Sequence, residues 1–202
     1  MNNGSKKCHL VLAGEGEIVK ELIGPNDYIV AVDGGYNKCV SIGLTPSMAI
    51  GDFDSLGFVP SCGNVVKLKA EKDLTDSFAA VLETESDNFS EYIIHCGLGG
   101  RLSHTLANIG LLEKIYDLGK DGLIASESER VHIIRSAASF SEGGYLSLIA
   151  LTEEAVVSIK NCKYSGEFIL KRDASLGVSN EPLKGALVTV KSGKVLAIEE
   201  RM

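Results

Sequence analysis

The sequence predicts an α/β domain with a mainly parallel sheet over residues 1–130, followed by a smaller all-β domain over residues 131–202, built as a β-sandwich. Three observations carry this. Up to residue 130, apolar β-rich runs alternate with segments of helical spacing, and strands alternating with helices build a mainly parallel sheet covered on both faces. Beyond residue 130 the helical spacing disappears, and short β-rich runs separated by turns take over. Three of the apolar runs in the first half end in acidic or glycine-rich clusters, the position where an open α/β sheet binds ligands.

Residues 8–13 are an apolar run ending at Gly14, and residues 15–23 are expected as a short helix stopped by Gly24-Pro25. Residues 28–32 form a β-rich run into Asp33, and residues 36–42 are helical, ending at Gly43. Short strands follow at 48–50 and 65–68. Residues 75–85 have helical spacing with Phe78, Val81 and Leu82 on one face, and residues 92–96 are again apolar. Residues 102–118 place Leu102, Leu106, Ile109, Leu112 and Ile115 on one stripe of a long amphipathic helix closed by Gly119. In the second half the β-rich runs are 131–134, 145–150, 155–159, 167–170, 187–190 and 195–198. Lys191-Ser192-Gly193-Lys194, between two alternating runs, reads as a hairpin turn.

Composition narrows the function classes. The formal net charge of −7 argues against a general nucleic-acid binder, which normally carries a basic face. Nucleotide binding stays open, because a metal ion reconciles acidic side chains with phosphates. No unbroken apolar run reaches membrane-spanning length, and the polar start followed by a short apolar stretch lacks the apolar region of a secretory signal. A cytoplasmic protein with neither nucleic-acid nor membrane partners is expected. Cys8, Cys39, Cys62, Cys96 and Cys162 form no C-x-x-C pair, and the four histidines have no zinc-ligand spacing. Buried free thiols, and structural roles for His9 and His95, are the expectation.

Four clusters carry the chemistry: Asp33-Gly34-Gly35, Gly51-Asp52-Phe53-Asp54-Ser55, Asp73-Leu74-Thr75-Asp76 and Gly97-Leu98-Gly99-Gly100-Arg101. On an extended segment, residues two apart face the same way, so Asp52 and Asp54 are expected to converge on one cation with Phe53 turned into the core. Mg²⁺ takes one or two carboxylates plus phosphate oxygens and water. Asp, Gly and Ser are also ordinary turn residues; the place of this pair after a buried-looking strand, beside three other clusters, favours the metal. Asp73 reads as a helix N-cap, and Asp76 suits the dipole of a first turn. Asp76 is also a credible third carboxylate, and Lys69 and Lys72 are close enough in sequence to meet phosphates. Gly99 and Gly100 let the backbone approach phosphate at a helix start, where free N–H groups and positive potential lie. Arg101 adds a planar fork. The loop is neither a P-loop nor G-x-G-x-x-G, and Gly14-Glu15-Gly16 is a weaker turn of the same strand-to-helix kind.

Taken in order, these clusters resemble the thiamine pyrophosphokinase family, whose pattern runs Asp-Gly-Gly, Gly-Asp-Phe-Asp-Ser, Asp-x-Thr-Asp and Gly-Gly-Arg-x-Asp-His-x-x-x-Asn. The last is matched by Gly99-Gly100-Arg101-Leu102-Ser103-His104-Thr105-Leu106-Ala107-Asn108, and Gly177-Val178-Ser179-Asn180-Glu181 is similar to the family's Ser-Asn-Glu segment. One position departs: Ser103 stands where the family usually has Asp; it can cap the helix start but carries no charge. The resemblance implies Mg²⁺-dependent transfer of a pyrophosphoryl group from ATP to the hydroxyl of thiamine, giving thiamine diphosphate and AMP. It implies catalytic roles for Asp52, Asp54, Asp73, Asp76 and Arg101. Asp52, Asp54 and Asp76 would hold the metal, Arg101 would bind phosphate, and Asp73 or Asp76 would accept the hydroxyl proton. It places Asp33, Gly34, Lys72, Thr75, Gly99, Gly100, Arg101 and His104 around ATP, and Ser179 and Asn180 near thiamine. With no Trp in the chain, an aromatic platform for thiamine would come from Tyr164 or Phe168. A homodimer is implied too, with thiamine between the α/β domain of one subunit and the β domain of the other. Rival readings are another metal-dependent phosphotransferase or phosphohydrolase, a nucleotide-sugar glycosyltransferase using Asp52 and Asp54, and a non-catalytic nucleotide- or thiamine-binding protein.

Overall fold

The computed structural model describes residues 6–69 and 73–201. The chain divides into two compact units, Met1–Glu127 and Ser128–Met202. In the first, strands β1 (Lys7–Val11), β2 (Tyr28–Val32), β3 (Met48–Gly51), β4 (Asn64–Lys67), β5 (Glu91–His95) and β6 (Asp121–Ala125) lie in the order β4-β3-β2-β1-β5-β6. Every pairing among them is parallel. β1, β2, β3 and β5 are buried along almost their whole length, as strands covered on both faces must be. Helices α1 (Gly35–Ser41), α2 (Asp76–Thr84) and α3 (Leu102–Asp117) lie between strands. The chain builds outward from β1 to β4, then returns to place β5 on the other side of β1. In an open α/β sheet a reversal of strand order of this kind marks the ligand-binding crevice outside the carboxyl ends of the strands.

Several local expectations shift. Residues 15–23 form no α-helix, only a 3-10 turn at Lys20–Leu22. Ile18 and Val19 are buried, and the Val19 N–H donates to His95 Nδ1 at 3.3 Å, so the segment is tied to the sheet instead of coiling. α2 is capped by Thr75, whose hydroxyl accepts from the Phe78 N–H, and not by Asp73. Its buried face is Ser77, Ala80, Val81 and Thr84, and Leu82 is exposed. α3 buries Asn108, Leu111, Leu112 and Ile115, while Leu102 and Leu106 are exposed. Its N-cap position belongs to Arg101, without a side-chain cap, and Ser103 lies within the first turn of the helix and not at its cap.

His9 and His95 form a buried chain with Asp27. His9 Nδ1 lies 2.9 Å from His95 Nε2, and His9 Nε2 lies 3.0 Å from Asp27 Oδ2. Because His95 Nδ1 accepts from Val19, its proton sits on Nε2 and is donated to His9 Nδ1; His9 in turn donates from Nε2 to Asp27. A second proton on His9 would face the N–H of His95. Burial, the largest influence, outweighs the pull of Asp27 and lowers the His9 pKa below its usual 6.5. Partial burial pushes Asp27 upward, but hydrogen bonds from the Gly24 N–H, His9 and the Lys7 N–H prevail and hold it below 3.8, so it stays ionised in the window that matters. The unfolded chain binds a proton at His9 below pH 6.5 that the folded chain refuses. Folding stability is therefore complete above that pH and falls as pH drops toward the lowered value, by at most ~1.4 kcal/mol per pH unit. Urea unfolding at decreasing pH measures this, and His9→Phe should flatten the dependence.

The second unit contains β7 (Glu129–Ile134), β8 (Ala137–Phe140), β9 (Tyr145–Ala150), β10 (Glu154–Cys162), β11 (Gly166–Lys171), β12 (Pro182–Ser192) and β13 (Val195–Glu200). β13 pairs antiparallel with β7 and β9. A second antiparallel sheet has the order β11-β10-β12-β8. Buried side chains of both groups, among them Leu146, Leu148, Val157, Val188 and Val195, form one core cluster. The expected hairpin at residues 191–194 is absent: β12 and β13 belong to different sheets, and the turn carries the chain across the core. Alternation foretold both strands but not their partners. All five cysteines are free, four of them buried, and burial pushes the Cys8 and Cys39 thiols up to about 12.

Candidate active site

The loops after β1, β2 and β5, with the starts of α2 and α3, enclose a hollow of about 540 Å³, a volume suited to a small-molecule ligand. It lies where the strand order reverses. Here the backbones come close: a Cβ on Gly14 would stand 2.3 Å from the Cys96 carbonyl oxygen, so only glycine lets the β1 loop pass the end of β5. Of the predicted residues, Asp33, Thr75, Asp76, Gly99, Gly100, Arg101 and His104 line this hollow. Asp52 and Asp54 line a second, more open one with Lys67 and Lys69. Gly34 is the N-cap of α1, Asp73 is exposed, and Lys72 lies outside the described residues.

Asp52 and Asp54 do not sit on an extended segment. Phe53 between them has φ 63° and is buried, and Asp52 Oδ1 accepts from the Asp54 N–H at 3.1 Å. Phe53 does turn into the core as expected, but through a tight turn and not by strand alternation. Asp33 (φ 47°) and Cys96 (φ 57°) adopt the same left-handed conformation directly after β2 and β5. Non-glycine residues held this way gather at functional sites, where surrounding structure over-determines them.

Asp33 links the hollows. Its Oδ2 accepts from the Ser55 hydroxyl at 2.8 Å, and its N–H donates to the Ile50 carbonyl at 2.8 Å. Its Oδ1 is buried and, among the described residues, has no hydrogen-bond partner. An unsatisfied buried acceptor is costly, and a cation or a donor from a ligand relieves it. Among the described residues no group of three or more His, Cys, Asp or Glu side chains stands ready to hold a metal. Mg²⁺ makes no such demand, since phosphate oxygens and water complete its shell. The donor set is all oxygen and fits Mg²⁺ arriving with a polyphosphate.

Three residues that sequence reasoning left out of the site belong to this geometry. Asn108, buried, donates from Nδ2 to the Gly97 carbonyl at 2.8 Å. Ser77 bridges Asn108 Oδ1 and Thr75 Oγ1, so this chain of bonds ties the start of α2 to the glycine loop. The Glu15 side chain rests over Gly99 and Gly100. Asn108 closes the last motif, and Glu15 stands between two glycines; those were the signals available.

The family profile described as thiamin pyrophosphokinase, catalytic domain, matches residues 19–121, just over half of the chain. This chain belongs to the thiamin pyrophosphokinase family. Membership makes it an enzyme, a diphosphotransferase of thiamine diphosphate biosynthesis. No curated protein matches it in sequence. The solved thiamine pyrophosphokinase of Bacillus subtilis superposes with a TM-score of 0.87 at 21% identity, over 97% of this chain and 99% of that one. That of Geobacillus thermodenitrificans gives 0.84 at 23%, over 97% and 98%. The Candida albicans enzyme gives 0.75 at 15%, over 96% and 90%. At these identities the likeness is one of fold.

In the second unit of this thiamin pyrophosphokinase family member, Ser179 is exposed with φ 57°, but Asn180 is buried and its amide is engaged. Asn180 Oδ1 accepts from the N–H groups of Tyr164 and Glu181 at 3.0 and 2.9 Å, and its Nδ2 donates to the Tyr164 carbonyl at 2.8 Å. Phe168 packs against the core, whereas Tyr164 is exposed with the Lys163 ammonium 5.9 Å from its ring centroid. Asn180→Ala should thus lower the stability of this unit by about 1–3 kcal/mol, the usual result of stranding buried backbone groups. An unchanged urea midpoint would show that the turn at Tyr164 holds without it.

Proposed function

We propose that the chain transfers the β,γ-pyrophosphoryl group of ATP to the hydroxyl of thiamine, with Mg²⁺, releasing AMP and thiamine diphosphate. The observation that carries this reading is the gathering of the glycine loop, Arg101, Asp33 and Asp76 in one hollow at the strand-order reversal of a family member. Such transfer depends on positioning and charge neutralisation more than on covalent catalysis. The backbone at Gly99 and Gly100 and the start of α3 offer N–H groups to phosphate, and the Arg101 fork meets its oxygens. Asp52, Asp54 and Asp76 would hold the metal, which when bound neutralises the polyphosphate. Of the two carboxylates suited to take the hydroxyl proton, Asp76 lines the hollow and Asp73 is exposed.

The first unit, read as residues 1–130, would serve ATP and metal; the second, residues 131–202, read as a β-sandwich, would serve thiamine and dimerisation. The working form would be a cytoplasmic homodimer without nucleic-acid or membrane partners; no helix among the described residues is long and apolar enough to cross a membrane. A coupled assay of AMP release with ATP, Mg²⁺ and thiamine tests the reading. AMP formed only when thiamine is present supports it. Thiamine-independent hydrolysis, or binding without turnover, would replace it with a phosphohydrolase or a binding protein.

A further inference from the structure

We propose that Ser55 is a positioning residue that locks the Asp52–Asp54 turn onto the glycine-lined hollow, acting through Asp33. The inference rests on the phosphoryl-transfer reading above and adds to it a residue that touches no reacting atom. The turn is closed within itself: Asp52 Oδ1 accepts from the Asp54 N–H, and the Phe53 carbonyl accepts from the N–H groups of Leu56 and Gly57. Its side-chain link to Asp33 is the Ser55 hydroxyl, 2.8 Å from Oδ2 and 22 residues away in sequence. The ends of β2 and β3 abut at this point, where a Cβ on Gly51 would stand 3.1 Å from Asp33 Cα. Asp33 and Phe53, at the two sides of the link, both hold left-handed backbones that surrounding contacts must enforce.

The bond also sets the Asp33 carboxylate. With Oδ2 committed to Ser55, Oδ1 is left as the buried oxygen without a partner among the described residues, on a residue that lines the hollow with Arg101 and Asp76. Without the hydroxyl the carboxylate can turn, and the acidic turn loses its registration with the glycine loop. Positioning catalysis is sensitive to shifts of this kind. A misplacement of about 1 Å caused by a change away from the chemistry can lower the rate on the order of 100-fold, so a loss of roughly 10- to 100-fold is expected.

The test compares Ser55→Ala, Ser55→Thr, Asp33→Asn and the double variant Ser55→Ala/Asp33→Asn. It reads kcat for AMP formation, Mg²⁺-dependent binding of α,β-methylene ATP by calorimetry, and the melting temperature. Ser55→Ala should lower kcat about 10- to 100-fold and weaken analogue binding, with only a small fall in melting temperature, because the bond is exposed, and KM for thiamine unchanged. Ser55→Thr should restore most of both. In the Asp33→Asn background, Ser55→Ala should have no further effect, because coupled residues are not additive. The proposal is overturned by Ser55→Ala retaining activity and analogue affinity within about twofold, by additive losses in the double variant, or by loss of activity that follows loss of folding. Failure of the wild-type protein to form AMP overturns the reaction reading instead; the analogue-binding arm still decides whether Ser55 acts through Asp33.

Discussion

Asp52→Asn should abolish most turnover while leaving the fold intact. The two halves of this expectation have separate causes. Asp52 Oδ1 closes its own turn by accepting from the Asp54 N–H, and the oxygen of an asparagine amide can accept the same bond, though more weakly. Phe53 then stays buried with its left-handed backbone, and the melting temperature should fall only slightly. What disappears is one negative charge from a hollow that also holds Asp54, Lys67 and Lys69. A site that must neutralise a polyphosphate through a hard cation depends on that charge. The loss in kcat should be roughly 100- to 1,000-fold, as for other single deletions of transition-state electrostatics. Initial rates of AMP formation at saturating ATP and thiamine measure it. Near-normal activity at limiting Mg²⁺ would remove Asp52 from the metal site. Asp52→Ala is the less informative change, because it opens the turn as well.

The order of elements was legible where periodicity and punctuation agree. The run before Asp33, the helix after Arg101 and the change of character near residue 130 are all plain in the sequence, since each depends on local chemistry. What stayed hidden depends on partners far away in the chain. Residues 15–23 have an acceptable helical composition, yet Val19 is taken by His95, 76 residues on. Lys191-Ser192-Gly193-Lys194 has good turn chemistry, but which sheet each flanking strand joins is a tertiary matter. In the site, glycine-rich and acidic clusters could be found one by one. The Ser55–Asp33 and Ser77–Asn108 bonds could not, because a hydroxyl that pins two clusters together looks in sequence like any turn or helix serine. Asn180 shows the converse: a motif residue marked for a ligand has its amide occupied by the backbone of Tyr164 and Glu181.

Arg101→Lys should cost the enzyme nearly as much as a neutral substitution at that position would, although it preserves the charge. Arg101 occupies the N-cap position of α3 with its side chain uninvolved in capping. Its carbonyl accepts from the N–H groups of His104 and Thr105, a role of the backbone that any residue fills. The helix start therefore survives the change, and stability should be unaltered. Arg101 lines the hollow with Gly99, Gly100 and Asp76, where a planar fork can grip two phosphate oxygens at once. A lysine ammonium is a single point charge on a flexible stem and cannot hold a migrating pyrophosphoryl group in one orientation. The expected loss is about 2–4 kcal/mol of transition-state stabilisation, read as a fall in kcat/KM for ATP. If the fork acts mainly on the transition state, kcat falls with little change in KM; if it binds ground-state ATP equally, KM rises with kcat held. Unchanged values of both would place Arg101 outside the reaction, leaving the glycine loop and the start of α3 to bind phosphate by backbone N–H groups alone.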